Sequence, residues 1–306
     1  MATRFAQRGT GPVRAILIAA TLSVLVLVTG CATKPTWVEG APAAPSVAPV
    51  AAQSPAPEPV PAAAPAPESL PLVTYDPAPK GFPEDEQALS TQRPREGLRP
   101  TGRIAAYDAP GGRPRAFLEP TLAGVNLTVP IVERRVGWVA VMLPSSSRRL
   151  AWIPPGTGWT TVPLRDQLVV YRSTHRMEWH RDDKLVKSWP VSLGVRATPT
   201  PLGRSFILGR SKLPGAVYAD TEVFALGAVP EDPDALPAGL RGAHIGVHTW
   251  YNDRTLGKDS TDGCIRLTKS GQQLLLRELA PGTPVVVLDA PPAGAPTAAA
   301  SAAPAA

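Results

Sequence analysis

His244-Ile245-Gly246-Val247-His248 is followed, sixteen residues after its last histidine, by Cys264 within Ser260-Thr261-Asp262-Gly263-Cys264-Ile265-Arg266-Leu267. The first run has the β-branched composition of a strand and ends on a histidine. The second passes through glycine to a thiol and then leads into a helix. Thr268 or Ser270 can cap that helix, Leu274, Leu275 and Leu279 form its apolar stripe, and Ala280-Pro281-Gly282 stops it. Working outward, residues 167–172, 177–180, 184–193, 205–208, 222–226 and 284–288 have strand composition, with Arg181-Asp182-Asp183 as a hairpin turn. The expected block is β-rich with one late helix and covers residues 164–290.

The chain has two cysteines, Cys31 and Cys264. A free thiol has a pKa near ~8.5 and needs a base to act as a nucleophile at neutral pH. Of the four histidines, His248 ends its strand nearest in sequence to Cys264; His244 has the same strand parity but lies two pleats away. His244 is therefore expected to be structural or substrate-facing, and His175 and His180 to be ordinary strand or surface residues. Gly263 lets the backbone approach a substrate, and the N–H groups of Gly263 and Cys264 are candidates for an oxyanion hole. The bland alternatives are an inert buried Cys264, a Cys31–Cys264 disulfide and a strand-end His248 with no chemical role. His244, His248 and Asp262 lack a fourth ligand for a closed zinc site, so no metal is expected.

Ile245-Gly246-Val247-His248 with Thr261-Asp262-Gly263-Cys264-Ile265-Arg266-Leu267 resembles the catalytic motif of the L,D-transpeptidases, the YkuD-domain family. Ser192-Leu193-Gly194 and then Thr198-Pro199-Thr200-Pro201-Leu202-Gly203-Arg204-Ser205-Phe206-Ile207 resemble the family's upstream element. The likeness runs from about residue 165 to 289. Thr249 stands where the family usually has glycine, and Asp262 where it often has histidine. The resemblance implies a cysteine acyltransferase working on peptidoglycan stem peptides as donor and acceptor. Cys264 would attack, His248 would move the proton, and a backbone carbonyl from Thr249 or Thr261 would orient the imidazole. No metal or organic cofactor is implied. Arg266 would brace the loop or hold a substrate carboxylate. Trp250 and Tyr251 would line the acceptor groove or pack inward, and Thr198 and Gly203 would shape a turn near the cleft. Two rivals remain: water resolving the thioester, which makes an L,D-carboxypeptidase, and a wall-binding module without catalysis.

Arg4, Arg8 and Arg14 precede an apolar run over residues 15–28 and then Val28-Thr29-Gly30-Cys31. The run is too short to span a membrane and fits a secretory signal. Small residues before the cysteine resemble a bacterial lipobox, which implies lipidation of Cys31 and an extracytoplasmic protein anchored to the membrane. An uncleaved signal anchor and an ordinary cleavage site are the alternatives. The formal charge of +6 loses these three arginines with the signal, which demotes a nucleic-acid partner. A monomer is expected. Residues 31–99 read as a Pro/Ala-rich disordered spacer, because proline denies hydrogen bonds and few large apolar residues offset ordering entropy. Short strands at 103–107, 128–132, 138–143 and 150–153 suggest a small β-barrel over 100–163 that loosely resembles an SH3-like module. A β-rich spacer domain is the bland reading. Residues 291–306 read as a disordered tail.

Overall fold

A computed structural model describes residues 58–75, 79–213, 218, 220–229 and 245–293. The expected signal segment, Cys31, His244, the spacer up to residue 57 and the tail from residue 294 lie outside the described residues.

The fold is mainly β with one helix among the described residues, as the sequence implies. The first half carries β1 (Glu96–Pro100), β2 (Ile104–Tyr107), β3 (Pro114–Leu118), a small ribbon of β4 (Thr121–Leu122) and β5 (Val125–Asn126), β6 (Val129–Arg135), β7 (Trp138–Met142), β8 (Leu150–Ile153) and β9 (Trp159–Pro163). Seven of these form an antiparallel sheet in the order β3-β2-β8-β7-β6-β1-β9. The chain then passes to β10 (Asp166–Tyr171), β11 (Arg176–Arg181), β12 (Lys184–Pro190), β13 (Leu193–Gly194), β14 (Gly203–Ser211), β15 (Val223–Gly227), β16 (Gly246–His248), β17 (Asp259–Thr261), β18 (Ile265–Arg266), α1 (Lys269–Glu278) and β19 (Pro284–Leu288). Its main sheet has the order β12-β11-β10-β19-β14-β15-β16-β18.

Local chemistry explains the key elements. Asp182 and Asp183 both take positive φ, 51° and 64°, which gives a two-residue hairpin between β11 and β12 the twist it needs. Val285, Val286 and Val287 are all buried, as a strand covered on both faces requires, and β19 lies between β10 and β14. Of the two possible caps, Thr268 closes α1: its side chain accepts the Gly271 N–H. No described helix is long and apolar enough to cross a membrane.

The two sheets share one core. Phe206, Leu208 and Ala228 of the second half pack with Leu98, Leu127, Val141 and Ile153 of the first. Phe206 and Leu98 are fully buried, each contributing roughly 1.5–3 kcal/mol relative to exposure.

One expectation is corrected. Residues 58–75 and 79–99 are not a disordered spacer; they lie on the folded body. Leu72 forms a bridge with Phe117, Val73 and Phe82 are buried, and residues 96–100 are strand β1, paired to both β6 and β9. The strongest tie is a buried ion pair, Asp85 with Arg204 of β14, whose side chains are 1% and 8% exposed. Arg204 N–H also donates to the Ala88 carbonyl. Composition misleads here because the segment's few apolar residues, Val73, Phe82 and Leu98, enter a core built by distant strands, and an ion pair and backbone hydrogen bonds add to that hold.

Candidate active site

The site is built where β16 and β18 run side by side in parallel, with Val247 opposite Ile265 and His248 opposite Arg266. This register sets Cys264, just before β18, beside Gly246, and the Gly246 backbone hydrogen-bonds to the Cys264 sulfur. His248 follows two residues along β16. A Cβ placed on Gly246 would come within 4.0 Å of His248 Cδ2, so the imidazole lies on the face of β16 that Gly246 leaves open. On the far side of the ring, His248 Nδ1 is 2.6 Å from the Thr249 carbonyl. A carbonyl only accepts, so Nδ1 carries the proton and Nε2 is left as the acceptor nitrogen. Thr249 is 1% exposed and does not take a positive φ, which is why a β-branched residue is tolerated there.

Thr261 fixes the nucleophile loop. Its hydroxyl donates to the Cys264 carbonyl at 2.6 Å and accepts the Gly263 N–H at 3.2 Å. Gly263 supplies the φ of +106° that the turn demands. The Gly263 N–H is thus turned to Thr261, and the expected oxyanion pair reduces in this state to the Cys264 N–H. The upstream element braces the same loop: β13 pairs with β17, and Val195 N–H donates to the Thr261 carbonyl.

Electrostatics follow from burial and one cation. Burial pushes the Cys264 thiol up, while the Gly246 hydrogen bond and the Arg266 guanidinium pull against it. Burial lowers His248 to about 4; the Thr249 carbonyl opposes that shift and Arg266 adds to it. The resting pair is therefore a thiol and a neutral imidazole. Because His248 gains its proton near pH 4 when folded but near 6.5 when unfolded, the unfolded state binds more protons in between. Stability contributed by His248 is thus complete above about pH 6.5 and is lost as pH falls toward 4, by about 3 kcal/mol. Urea unfolding across this window should show that loss in the native chain and not in His248→Gln. The acid limb of any reaction that uses the imidazole as base should fall near pH 4 rather than 6.5.

Arg266 braces the loop: its Nη1 donates to the Ser260 carbonyl at 3.3 Å and its guanidinium stacks 3.6 Å from the Trp250 ring centroid. Its Nε is buried without a hydrogen-bond partner among the described residues. Trp250 is half-buried beside His248 and under Arg266, whereas Tyr251 is 65% exposed. Tyr251 therefore does not pack inward. His175 and His180 pair with Asp259 and Glu178, respectively. No cluster of three metal-ligating side chains occurs among the described residues.

Two residues at the site were missed in the sequence. Tyr218 meets the His248 ring edge-on at 5.2 Å. Tyr75 packs against both cores, and its phenol is pushed up by burial and by the nearby Cys264 charge. The Val73-Thr74-Tyr75 run has strand composition, which was the available signal.

Comparison with known proteins follows the same residues. Over residues 165–287 the chain matches the family model described as the L,D-transpeptidase catalytic domain, YkuD. That stretch is a YkuD-type L,D-transpeptidase catalytic domain. Two Bacillus proteins, each named "Putative L,D-transpeptidase YkuD", are similar to it. The B. licheniformis protein is 29% identical over 107 residues, 35% of this chain and 54% of its own length. The B. subtilis protein is 27% identical over 86 residues, 28% of this chain and 43% of its own. The chain thus spans about half the length of the curated relatives it matches. Among solved structures, an L,D-transpeptidase from Mycobacterium smegmatis is 15% identical, covers 52% of this chain and 77% of that one, and has a TM-score of 0.33. One from Mycobacterium tuberculosis H37Rv is 14% identical, covers 72% and 96%, and has the same TM-score. The assignment of the YkuD domain rests on the family model. Within that domain, His248, Thr249, Thr261, Gly263, Cys264 and Arg266 come together around one loop, and Trp250 and Tyr251 flank it.

Proposed function

We propose that the protein is a cysteine L,D-transpeptidase that forms 3→3 cross-links between peptidoglycan stem peptides. The reading is carried by His248: its Nδ1 is committed to the Thr249 carbonyl, so Nε2 is the nitrogen left to take a proton, and the parallel register of β16 and β18 brings its strand alongside the one that follows Cys264. His248 Nε2 takes the Cys264 proton as sulfur attacks the carbonyl that precedes the terminal D-alanine of a tetrapeptide stem. The Cys264 N–H donates to the oxyanion. Collapse of the tetrahedral species returns the proton to the D-alanine amine, which leaves, and a thioester remains. An amine of a second stem attacks that thioester, losing its proton to His248, and sulfur departs as the restored thiol. Arg266 keeps the nucleophile loop in place, and Tyr251 and Trp250 are suited to the acceptor side.

With residues 1–30 read as a signal and Cys31 as its lipidation site, the enzyme would sit outside the cytoplasm, anchored to the membrane and facing the wall. Incubation with purified disaccharide-tetrapeptide fragments tests the chemistry. The native chain is expected to give cross-linked dimers and free D-alanine, and Cys264→Ala neither. Tripeptides without dimers would make it a carboxypeptidase, and an unchanged substrate a wall-binding module.

A further inference from the structure

The seven-stranded sheet carries a second apolar surface that catalysis does not use. Along β7, Val139 and Val141 face the shared core while Trp138 and Ala140 face the other way; along β8, Ala151 and Ile153 face the core and Trp152 the other way. Alternation along a strand makes this unavoidable. Trp138, Trp152 and Tyr107 therefore form a satellite cluster on the outer face, with Tyr107 and Trp138 edge-to-face at 5.1 Å. All three are nonetheless at most 6% exposed.

Part of what covers them is the chain's own Pro-Val-Pro-Ala-Ala-Ala-Pro-Ala-Pro run, residues 59–67, which forms neither helix nor strand. Trp138 Nε1–H donates to the Pro61 carbonyl at 2.9 Å, and Tyr107 O–H donates to the Ala64 carbonyl at 2.7 Å. The accepting residues are three apart and half-buried, and Ala62 and Ala63 between them are exposed. A polyproline-II helix repeats every three residues, so Pro61 and Ala64 occupy one face of it. Ala64 packs on the aromatic cluster, and Pro61 lies so close to Gly111 that a Cβ there would be 2.9 Å from its own.

Aromatic rings with outward N–H and O–H donors, read against the carbonyls of a stiff proline-rich segment, are the chemistry of polyproline recognition. We propose that the Tyr107–Trp138–Trp152 groove is a binding site for Pro/Ala-rich polyproline-II segments, and that residues 60–67 are its resident ligand, held as an exchangeable latch. Docked, this segment covers the aromatic cluster. Released, it uncovers the three rings. The proposal does not depend on the transpeptidase reading.

The test uses the full chain and the Trp138 indole N–H resonance. Replacing residues 59–67 with alternating Gly and Ser should shift that resonance upfield as its acceptor is lost. Adding a synthetic peptide of residues 58–68 should restore it, whereas a version with every proline changed to Ala should not. Tyr107→Phe in the same background, which keeps the ring and removes one donor, should weaken restoration about fivefold. A resonance unmoved by the Gly/Ser replacement, or one that the native-sequence peptide cannot restore at millimolar concentration, would overturn the proposal.

Discussion

His248→Gln should slow acylation of Cys264 by about 10³-fold at neutral pH, within the range a positioned general base supplies. The size follows from the two protonation states at the site. Burial holds Cys264 as a thiol, so little thiolate exists without a partner to take the proton. Burial also holds His248 neutral, so in the native chain the acceptor is always ready above about pH 4. Glutamine keeps a polar side chain in the same place but cannot accept the proton. The variant should therefore gain rate about tenfold per pH unit as pH rises toward the thiol's own ionisation, while the native profile stays flat. Rapid-quench mass spectrometry of the acyl-enzyme across pH 5–9 reads both. A variant with a native rate, or one with the native flat profile, would remove His248 from the proton path.

Asp85→Ala should lower stability by about 3–5 kcal/mol, the cost of leaving a buried charge without its partner. Asp85 and Arg204 are nearly fully enclosed, and Arg148 lies close by, its pKa lowered to about 10 chiefly by burial and raised in part by Asp85. Removing the carboxylate leaves two guanidinium groups facing one another. Replacing the pair together, Asp85→Leu with Arg204→Met, should recover most of the loss, since an apolar pair of similar volume avoids the desolvation penalty. Urea midpoints of the three proteins give the comparison. A native midpoint for Asp85→Ala would mean that residues 79–95 are not fastened to the catalytic sheet.

These two positions also mark what could be read in the sequence. The catalytic half was legible because its signals are local. The β-branched runs, the Asp182-Asp183 turn, the Thr268 cap and the His248 to Cys264 spacing each carry their meaning within a few residues. The part that brings them together is not local. Nothing near His248 announces that β16 pairs in parallel with β18, nor that Gly263 N–H turns to Thr261 and leaves one fewer donor for an oxyanion. The short strands β13, β17 and β18 exist only through long-range pairing, and two- or three-residue strands have no periodicity to detect. Residues 58–75 and 79–99 were misread for a related reason. Their composition describes a chain that cannot build a core, yet the core, the ion-pair partner and the aromatic groove are supplied by residues far along the sequence. Tyr75 reaches the neighbourhood of Cys264 through that same packing.

The central claim is that Cys264 is a nucleophile served by His248. Intact-protein mass spectrometry after incubation with a carbapenem tests it most directly. The account predicts a single covalent adduct of the β-lactam's mass on the native chain, mapped to the peptide containing Cys264 and absent from Cys264→Ala. A native chain that stays unmodified, or an adduct that persists when Cys264 is replaced, would contradict it.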